Sequence, residues 1–489
     1  MKKKLCTLAV ALLSMALASC GGAGGSEDEE LTGTALAVSL ASKMTKAELA
    51  EASRKEFEEN PNGKFKVVGL TSVLRSIAKT VTQQYEWINF ETQKVVNPDT
   101  GKEEEVETEN SNVVVNNSYK DYALLEALNV ADKLYFADYA LVQDVRYFST
   151  HMEDGITHNF VPSDWETGIG LKEEDTLPLK GVHFNKLFWT NTNFQEVTGK
   201  RLYNIWQVAG SAADADHLSK VSFQDATTEQ INMSFLVTAY SPKEQKRIED
   251  AYESYYGRKW AASEEYKSAG EQWVAEFIKN ISRWHSSDGT AMKETQLKND
   301  WNEGYVYYGA FAKMKDAVSK YYKVDLNGNG TVEADESVTV TIDGKQITYS
   351  NADNPKDDVA QGVNAMDTVK WDWNIDGFNG YMYCMDSQVI NNAQFPYTAC
   401  LFARVMLEES AYTTAIYNSK NPDAEGNPAN QYGYYYPGTA SSTFRYAKGD
   451  WTKEQHIERE LNEDYEYLKD VNPILVSKIQ TMIANSKGS

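Results

Sequence analysis

The stretch Lys64-Phe-Lys-Val-Val-Gly-Leu70, followed at once by Thr71 and Ser72, is the part of the sequence that decides the fold. Its β-branched and aromatic residues predict a short strand. Thr71 and Ser72 are residue types that cap helix N-termini. Apolar residues then recur at helical spacing: Val73, Leu74, Ile77, Ala78 and Val81. The segment therefore predicts a strand, a turn and a capped amphipathic helix.

The same order of elements recurs along the chain. Tyr139-Ala-Leu-Val142 predicts a second strand, with polar residues at its end. Val221-Ser-Phe223 predicts another, running into a helix cap, and residues 304–311 predict an aromatic strand that leads into a helix. Strands followed by helices predict an α/β fold with mainly parallel sheets. In such sheets, ligands bind at the carboxyl ends of strands, next to helix N-termini.

The N-terminus has the pattern of a lipoprotein signal. Lys2, Lys3 and Lys4 precede an apolar run over residues 8–17, which is too short to span a bilayer. Leu17-Ala-Ser-Cys20 then reads as a lipobox, so Cys20 is the predicted site of acylation with chains such as palmitate. Two or more acyl chains anchor a protein stably. We expect an extracytoplasmic protein, at the cell surface or in the periplasm, attached to the membrane only through this lipid.

Composition limits the possible partners. The chain has 489 residues and a formal net charge of −23, and loss of the three N-terminal lysines makes the mature protein more acidic still. Such a surface repels nucleic-acid phosphates, so no nucleic-acid partner is expected. Two cysteines remain in the mature chain beyond Cys20. An oxidising compartment permits a disulfide between Cys384 and Cys400, and their apolar surroundings are equally compatible with buried free thiols.

A twelve-residue stretch has the spacing of a calcium loop. Oxygen ligands at positions one, three and five, a glycine at six and a glutamate at twelve suit Ca²⁺. The predicted ligands of a structural Ca²⁺ ion are Asp325, Asn327, Asn329, Thr331, Glu333 and Glu336. The alternating run Val338-Thr-Val-Thr-Ile342 after the loop predicts a strand, which argues against a regulatory EF-hand. The alternative is a hairpin held by Asx turns.

Several stretches resemble extracellular solute-binding proteins of ABC importers, in particular the ferric and carbohydrate types with the type II periplasmic-binding-protein fold. The resemblance is carried by Lys66-Val-Val-Gly-Leu-Thr-Ser-Val-Leu74, Tyr139-Ala-Leu-Val-Gln-Asp144, Leu179-Lys-Gly-Val-His-Phe-Asn-Lys-Leu-Phe188, Val221-Ser-Phe-Gln-Asp225 with Ile231-Asn-Met233, Trp373-Asn-Ile-Asp-Gly-Phe378 with Gly380-Tyr-Met-Tyr383, and Phe395-Pro-Tyr-Thr-Ala-Cys-Leu-Phe402. It implies two lobes, each a mixed, mostly parallel sheet flanked by helices, and an ABC permease as partner.

The resemblance also implies a division of the chain. We expect a signal peptide over 1–19, a flexible acidic leash over 20–45, and a first lobe over 60–185 to which part of the C-terminal region returns. A second lobe is expected over 186–370, including the calcium-like loop 325–336. Residues 371–489 then form the return crossing and the C-terminal helices. We expect a monomer.

Candidate ligand-binding residues lie at the predicted strand ends and helix starts. Hydroxyl, amide and carboxylate groups there could bind a small polar solute, although each could also serve as an ordinary cap or turn residue. The candidates are Thr71, Ser72, Gln143, Asp144, Asp225, Thr227, Thr228, Tyr307, Tyr308 and Trp373. Asp138 belongs to the same group, and His183 is expected to be structural.

The predicted function is therefore a solute receptor that closes around its ligand, and not an enzyme. In the ferric members of the resembled family, adjacent tyrosines bind iron, so a ferric receptor using Tyr307 and Tyr308 is one alternative. A surface glycan-binding lipoprotein of helical type is a second, and it would require a mainly helical chain. A secreted hydrolase with a calcium site is a third, although no Ser/His/Asp or Cys/His set has a recognisable spacing.

Overall fold

The computed structural model describes residues 31–69, 72–96, 103–116, 135–146, 148–191, 194–295, 304–317, 333, 335, 337–342, 345–350, 369–370, 374–431, 433–437 and 444–488. The helices in these ranges are α1 Gly33–Ala41, α2 Lys46–Glu59, α3 Ser72–Thr82, α4 Phe148–Glu153, α5 Phe194–Thr198, α6 Gln230–Thr238, α7 Gln245–Tyr256, α8 Ala269–Asn280, α9 Asp288–Thr295, α10 Phe311–Ala317, α11 Pro396–Val405, α12 Ser410–Ile416, α13 Lys453–Arg459, α14 Tyr465–Leu468 and α15 Pro473–Gly488. None of them is long and apolar enough to cross a membrane.

The strands are β1 Phe65–Val68, β2 Thr92–Val96, β3 Glu103–Glu107, β4 Val113–Asn116, β5 Tyr139–Val142, β6 Thr157–His158, β7 Leu179–Asn191, β8 Val221–Gln224, β9 Ile281–His285, β10 Val306–Ala310, β11 Ser337–Ile342, β12 Lys345–Ser350, β13 Val369–Lys370, β14 Gly380–Ile390, β15 Tyr417–Pro422, β16 Pro428–Asn430 and β17 Leu461–Asn462. Eleven of them form one sheet whose main path runs β4-β1-β5-β14-β7-β10-β8-β9.

This sheet consists of two parallel parts joined by two long antiparallel strands. In the first lobe, β4, β1 and β5 are parallel. In the second lobe, β10, β8 and β9 are parallel. β7 and β14 pair with each other and run through both parts, because β14 also pairs with β5 and β7 also pairs with β10. We call β7 and β14 the crossing strands. The predicted two-lobed α/β fold is confirmed by this topology.

Apolar residues explain why the crossing strands sit at the centre of the molecule. Every residue of β14 is buried, and almost every residue of β7 is buried as well. A strand that is covered on both faces has a nearly continuous run of apolar residues in its sequence, and not an alternation of apolar and polar residues. At Gly380 the chain of β7 comes so close that a Cβ atom would lie 1.9 Å from the Lys186 carbonyl oxygen. Only glycine permits this approach.

Helices cover both lobes. α11 packs against α1, α2 and α3 on the first lobe, and α12 packs against α3. On the second lobe α8 packs against α7 and α15, while α6 contacts α14, α15 and β17. Asp138 fastens the first lobe, since its carboxylate accepts hydrogen bonds from the backbone N–H groups of Lys66, Gln394 and Phe395 at 2.7–2.9 Å. Asp138 is therefore structural.

The structure corrects the predicted length of the leash and decides the state of the two cysteines. The leash predicted to reach residue 45 is too long, because α1 buries Val38 and Ala41 against the first lobe. Its small apolar residues supply a packing surface that an acidic leash lacks. β2 and β3 pair as a separate antiparallel hairpin, and β4, which follows them, joins the main sheet. Cys384 and Cys400 are buried free thiols, so they do not form a disulfide with each other.

Candidate functional site

The carboxyl ends of the parallel strands from both lobes meet at the middle of the crossing strands. β5 ends at Val142, which pairs with Asp386 of β14. β10 ends at Ala310, which pairs with Lys186 of β7. Ligands of open α/β sheets bind outside the carboxyl ends of strands. The topology therefore places the candidate site where the two lobes face each other.

An ion pair forms the first-lobe side of this region. The Arg146 guanidinium donates to both oxygens of Asp144, from Nε to Oδ1 at 3.0 Å and from Nη2 to Oδ2 at 2.8 Å. Both side chains are almost completely buried. A two-point contact of this kind fixes orientation as well as charge. It holds the two groups ready to meet the second lobe.

The second lobe contacts this ion pair through α6. The Ser234 hydroxyl donates to Asp144 Oδ1 at 3.2 Å, and Arg146 Nη2 donates to the Gln230 side-chain oxygen. We call these four residues the latch. Because two members come from each lobe, the latch exists only when the lobes are close together. The molecule is therefore in a closed arrangement on this side.

A cavity of about 910 Å³ lies against the crossing strands, between segments of the two lobes. The loop that leads into β7 forms one wall, the crossing strands form the floor, and residues after α6 together with the α13–α14 region form the other wall. Its lining includes Lys172, Glu173, Glu174, Asp175, Lys180, His183, Lys243, Glu244, Met382, Cys384, Lys453, Glu454, Asn462, Glu463, Asp464, Tyr465 and Glu466. The volume is at the upper end of the range of about 300–1,000 Å³ typical for small-molecule sites.

Two buried carboxyl groups lie close to the floor. Asp386 is fully buried, and within the described part of the chain neither of its oxygens has a hydrogen-bond partner. Burial raises the pKa of Asp386 well above its usual range, against the opposing effect of Lys180. Burial and the nearby Asp386 carboxyl likewise raise the pKa of Glu463 well above its usual range. The proton-bound, neutral forms are favoured at both positions.

The lysines of the cavity differ in their partners. Lys180 pairs with Asp175 at 2.8 Å, and Lys243 pairs with Asp464 at 2.9 Å. Lys453 Nζ, in contrast, donates within the described ranges only to two backbone carbonyl oxygens, those of Pro437 at 3.3 Å and Tyr436 at 3.4 Å. Burial lowers the pKa of Lys453 by more than the nearby carboxylates of Asp175 and Glu454 raise it.

His183 and Cys384 face each other across the floor. Cys384 Sγ lies 3.1 Å from His183 Nδ1, and both side chains are buried. Burial raises the pKa of the Cys384 thiol, so the neutral thiol is favoured. Burial, followed by the charges of Lys453, Lys180 and Lys172, lowers the pKa of His183 well below its usual value. The pair is therefore a neutral thiol beside a neutral imidazole.

The residues predicted from sequence are divided between several places. Asp144 belongs to the latch, and the buried Gln143 precedes it on the chain. Asp225, Thr227 and Thr228 lie in a turn before α6, where Asp225 accepts hydrogen bonds from Thr227 and pairs with Lys487 of α15. Both threonines are exposed, and none of the three lines the cavity. Of this group, only Asp144 takes part in a contact between the lobes, and neither Gln143 nor Asp144 lines the cavity.

Tyr307 and Tyr308 are both fully buried, on opposite faces of β10. Tyr307 stacks on Trp189, whereas Tyr308 packs between Phe223 and Phe235. Successive residues of a strand point to opposite faces. The arrangement therefore does not bring the two phenol groups to one ion, as the ferric alternative requires.

Of the remaining predicted residues, most lie outside the described part of the chain. Ser72 is the first residue of α3. Thr71, Trp373, Cys20 and every predicted calcium ligand except Glu333 lie outside the described residues. Over the ranges that are described, no group of three or more His, Cys, Asp or Glu side chains could hold a metal ion.

A Ser–His–Glu chain also occurs, away from the cavity. Ser222 contacts His285 Nε2, and His285 Nδ1 lies 3.1 Å from Glu294 Oε2. Ser222 is fully buried inside β8 and does not line the cavity. Burial and the adjacent Arg283 lower the pKa of His285 to about 4. A nucleophile that no substrate can reach does not support the hydrolase alternative.

Sequence reasoning missed most of the cavity. Lys180, Asp386, Lys453 and Glu463 were not among the candidates, and His183 was expected to be structural. One signal was present, since a charged residue inside an otherwise apolar strand, as at Lys180 and Asp386, is costly unless it has a role. Lys453 and Glu463 carried no such signal, because they lie in polar stretches of sequence, Lys453 at the start of α13 and Glu463 between β17 and α14.

No family model and no curated protein matches the chain. Solved structures do match it. IdiA (FutA) of Trichodesmium, in complex with iron and citrate, is 12% identical, with 87% of this chain and 99% of that chain covered at a TM-score of 0.47. AfuA of Actinobacillus pleuropneumoniae, with bound fructose-6-phosphate, is 11% identical, with 86% and 97% covered at 0.45.

An ABC transporter substrate-binding protein of Bradyrhizobium japonicum is 10% identical, with 86% of this chain and 100% of that chain covered at a TM-score of 0.47. These proteins are of the kind that the sequence resembles. At such identities and scores we take the fold from the strand order and the crossing strands, and the site from the residues described above.

Proposed function

We propose that this chain is the solute-binding receptor of an ABC importer, held outside the cytoplasm by a lipid on Cys20. The observation that carries the proposal is the cavity of about 910 Å³, with walls from both lobes and a floor of crossing strands. A solute in that cavity contacts both lobes at once. The solute therefore binds the closed arrangement more tightly than the open one, and this difference in affinity shifts the equilibrium toward the closed arrangement.

The proposed mechanism is hinge closure around the solute. In the open form the solute reaches the cavity, and on closure the latch forms between Asp144, Arg146, Gln230 and Ser234. The permease then recognises the closed receptor and receives the solute. Binding and release are sufficient for this cycle, and no covalent step is involved.

The alternatives receive less support. A helical glycan-binding lipoprotein does not agree with an eleven-stranded sheet. The ferric receptor loses its proposed ligand pair, since Tyr307 and Tyr308 pack on opposite faces of β10. A calcium ion in loop 325–336 remains a proposal for structural stabilisation and is independent of the receptor function.

The test begins with a thermal-shift screen of sugars, sugar phosphates, ferric complexes and polyamines. A solute at 100 times its Kd should stabilise the protein by about 2.7 kcal/mol. Small-angle scattering with each hit should show contraction, because closure brings the lobes together. A solute that saturates the protein without contraction would contradict hinge closure.

A locked variant sharpens the test. Asp144→Cys with Ser234→Cys, which replaces two short side chains in contact, should on oxidation to a disulfide hold the lobes closed and block exchange of a bound solute. Reduction of the disulfide should restore exchange, so the reduced form of the same variant is the control. Equal exchange rates for the oxidised and reduced forms would exclude the cleft as the entry route.

A further inference from the structure

We infer that the cavity floor contains an anion subsite, in which the Lys453 ammonium and the His183 Nε2–H bind a carboxylate or phosphate group of the solute. The inference rests on the proposed receptor function and extends it to the chemical class of the ligand. Lys453 comes from α13 and His183 from β7, so the subsite joins a helix of one wall to the floor.

The first observation is the incomplete pairing of Lys453. Its ammonium donates to two carbonyl oxygens at 3.3 and 3.4 Å, longer than a normal charge-assisted hydrogen bond, and it forms no ion pair with any described carboxylate. A cation removed from water needs a counter-charge to be stable. The anionic group of a solute in the cavity can provide it.

The second observation is the unpartnered nitrogen of His183. The side chain is 4% exposed, and Nε2 has no hydrogen-bond partner in the described part of the chain. Cys384 lies 3.1 Å from the other ring nitrogen, Nδ1. A neutral thiol is a weak donor and an even weaker acceptor, whereas an imidazole nitrogen accepts well. The thiol therefore donates to Nδ1, and the ring proton resides on Nε2.

A buried donor without an acceptor destabilises the protein by about 1–3 kcal/mol. His183 lines the cavity, so a ligand oxygen there satisfies this donor. An anionic hydrogen-bond acceptor on the solute would therefore satisfy both Lys453 and His183.

The surrounding charges agree with this assignment. Lys180 is balanced by Asp175 at 2.8 Å, and burial favours the neutral forms of Asp386 and Glu463. The positive charge of Lys453 is then left without a counter-charge at the cavity floor. The buried Asp175 also attracts Lys453 but is already paired with Lys180, and Glu244 and Asp464 are paired with Arg247 and Lys243. The other carboxylates that line the cavity, Glu173, Glu174, Glu454 and Glu466, are exposed. They are screened by solvent, which weakens their effect on the buried floor.

The experiment uses inorganic phosphate, acetate and a neutral sugar as probes, titrated into the full mature chain. For the wild type we expect phosphate or acetate to shift the ¹⁵N resonance of His183 Nε2, which is assigned by its loss in His183→Gln. Lys453→Gln should weaken that binding by about tenfold or more, since a charge-assisted contact is lost. Lys279→Gln, at an exposed lysine of α8, should bind like the wild type.

The phosphate and acetate arms decide which anionic group the subsite prefers. Absence of any His183 shift with both anions overturns the subsite, and so does equal affinity for wild type and Lys453→Gln. If a neutral sugar contracts both proteins equally in scattering, the receptor function stands and the subsite is wrong. If no solute contracts the wild type, the receptor function itself is wrong.

Discussion

The Ser234 hydroxyl of the second lobe donates a hydrogen bond of 3.2 Å to the Asp144 carboxylate of the first lobe. Asp144 follows β5 of the first lobe and Ser234 lies in α6 of the second, so the two residues meet only across the cleft. A hydrogen bond to a charged group contributes about 1.5–3 kcal/mol. We therefore expect Ser234→Ala to shift the population of ligand-free protein toward the open form by about tenfold or more.

Scattering of the ligand-free protein checks this expectation as an increased radius of gyration. Ser53→Ala is the matched control, because Ser53 is buried and bonds Thr398 at 2.8 Å within the first lobe. The control should lower stability without changing the radius. An unchanged radius in Ser234→Ala would show that the latch does not hold the lobes together.

Glu56 gives a pH dependence of stability. Burial raises its pKa to about 7 from 4.5, although it accepts hydrogen bonds from Tyr397 and Thr398. The folded state therefore keeps a proton that the unfolded state loses above pH 4.5. Stability from this group is complete below that pH and is lost as the pH rises to 7, by about 3 kcal/mol.

Urea unfolding from pH 4.5 to 8 measures the effect. Glu56→Gln removes the titration, so its stability should fall less over the same range. Parallel curves for the two proteins would assign the pH dependence to other groups.

Gly380→Ala tests the packing of the crossing strands. The new Cβ atom would lie 1.9 Å from the Lys186 carbonyl oxygen, so the two strands must separate. We expect a loss of about 3 kcal/mol or more in the free energy of unfolding. Gly289→Ala is the control, since its Cβ would meet only Ser287 Oγ at 3.7 Å. A stable Gly380→Ala protein would mean that the strands yield easily.

The calcium loop is tested separately. Ca²⁺ should raise the melting temperature of the wild type, and Glu336→Ala should abolish most of that increase because a bidentate ligand is lost. Solute binding should be unaffected in the variant. An equal increase in both proteins would place any calcium site elsewhere.

The lipid anchor depends on Cys20. Cys20→Ala should prevent acylation and leave an unlipidated precursor, which metabolic labelling with a fatty acid detects. Label that persists in the variant would contradict the lipobox assignment. A variant at Cys400, which is buried, should keep its label.

Much of the fold follows from local sequence, because each βα junction has its own signals. The strand and helix at Lys64 to Val81 and the strand before Asp144 could be read directly. The site could not, because it is assembled from distant segments. His183, Cys384 and Lys453 meet only once β7, β14 and α13 are in place. Asp225, Thr227 and Thr228 had good capping chemistry, yet they form a turn before α6 in which Asp225 pairs with Lys487 of α15.

The return of β14 to the first lobe has a consequence for the order of biosynthesis. β5 is covered on one edge by β14, and α2 and α3 are covered by α11 and α12. A ribosome must therefore translate beyond Ile416 before the first lobe can be completed. Until then, the nascent N-terminal half lacks its central partner strand. Such a chain stays unfolded for longer, which is compatible with the proposed export, since an unfolded chain can pass through a narrow channel.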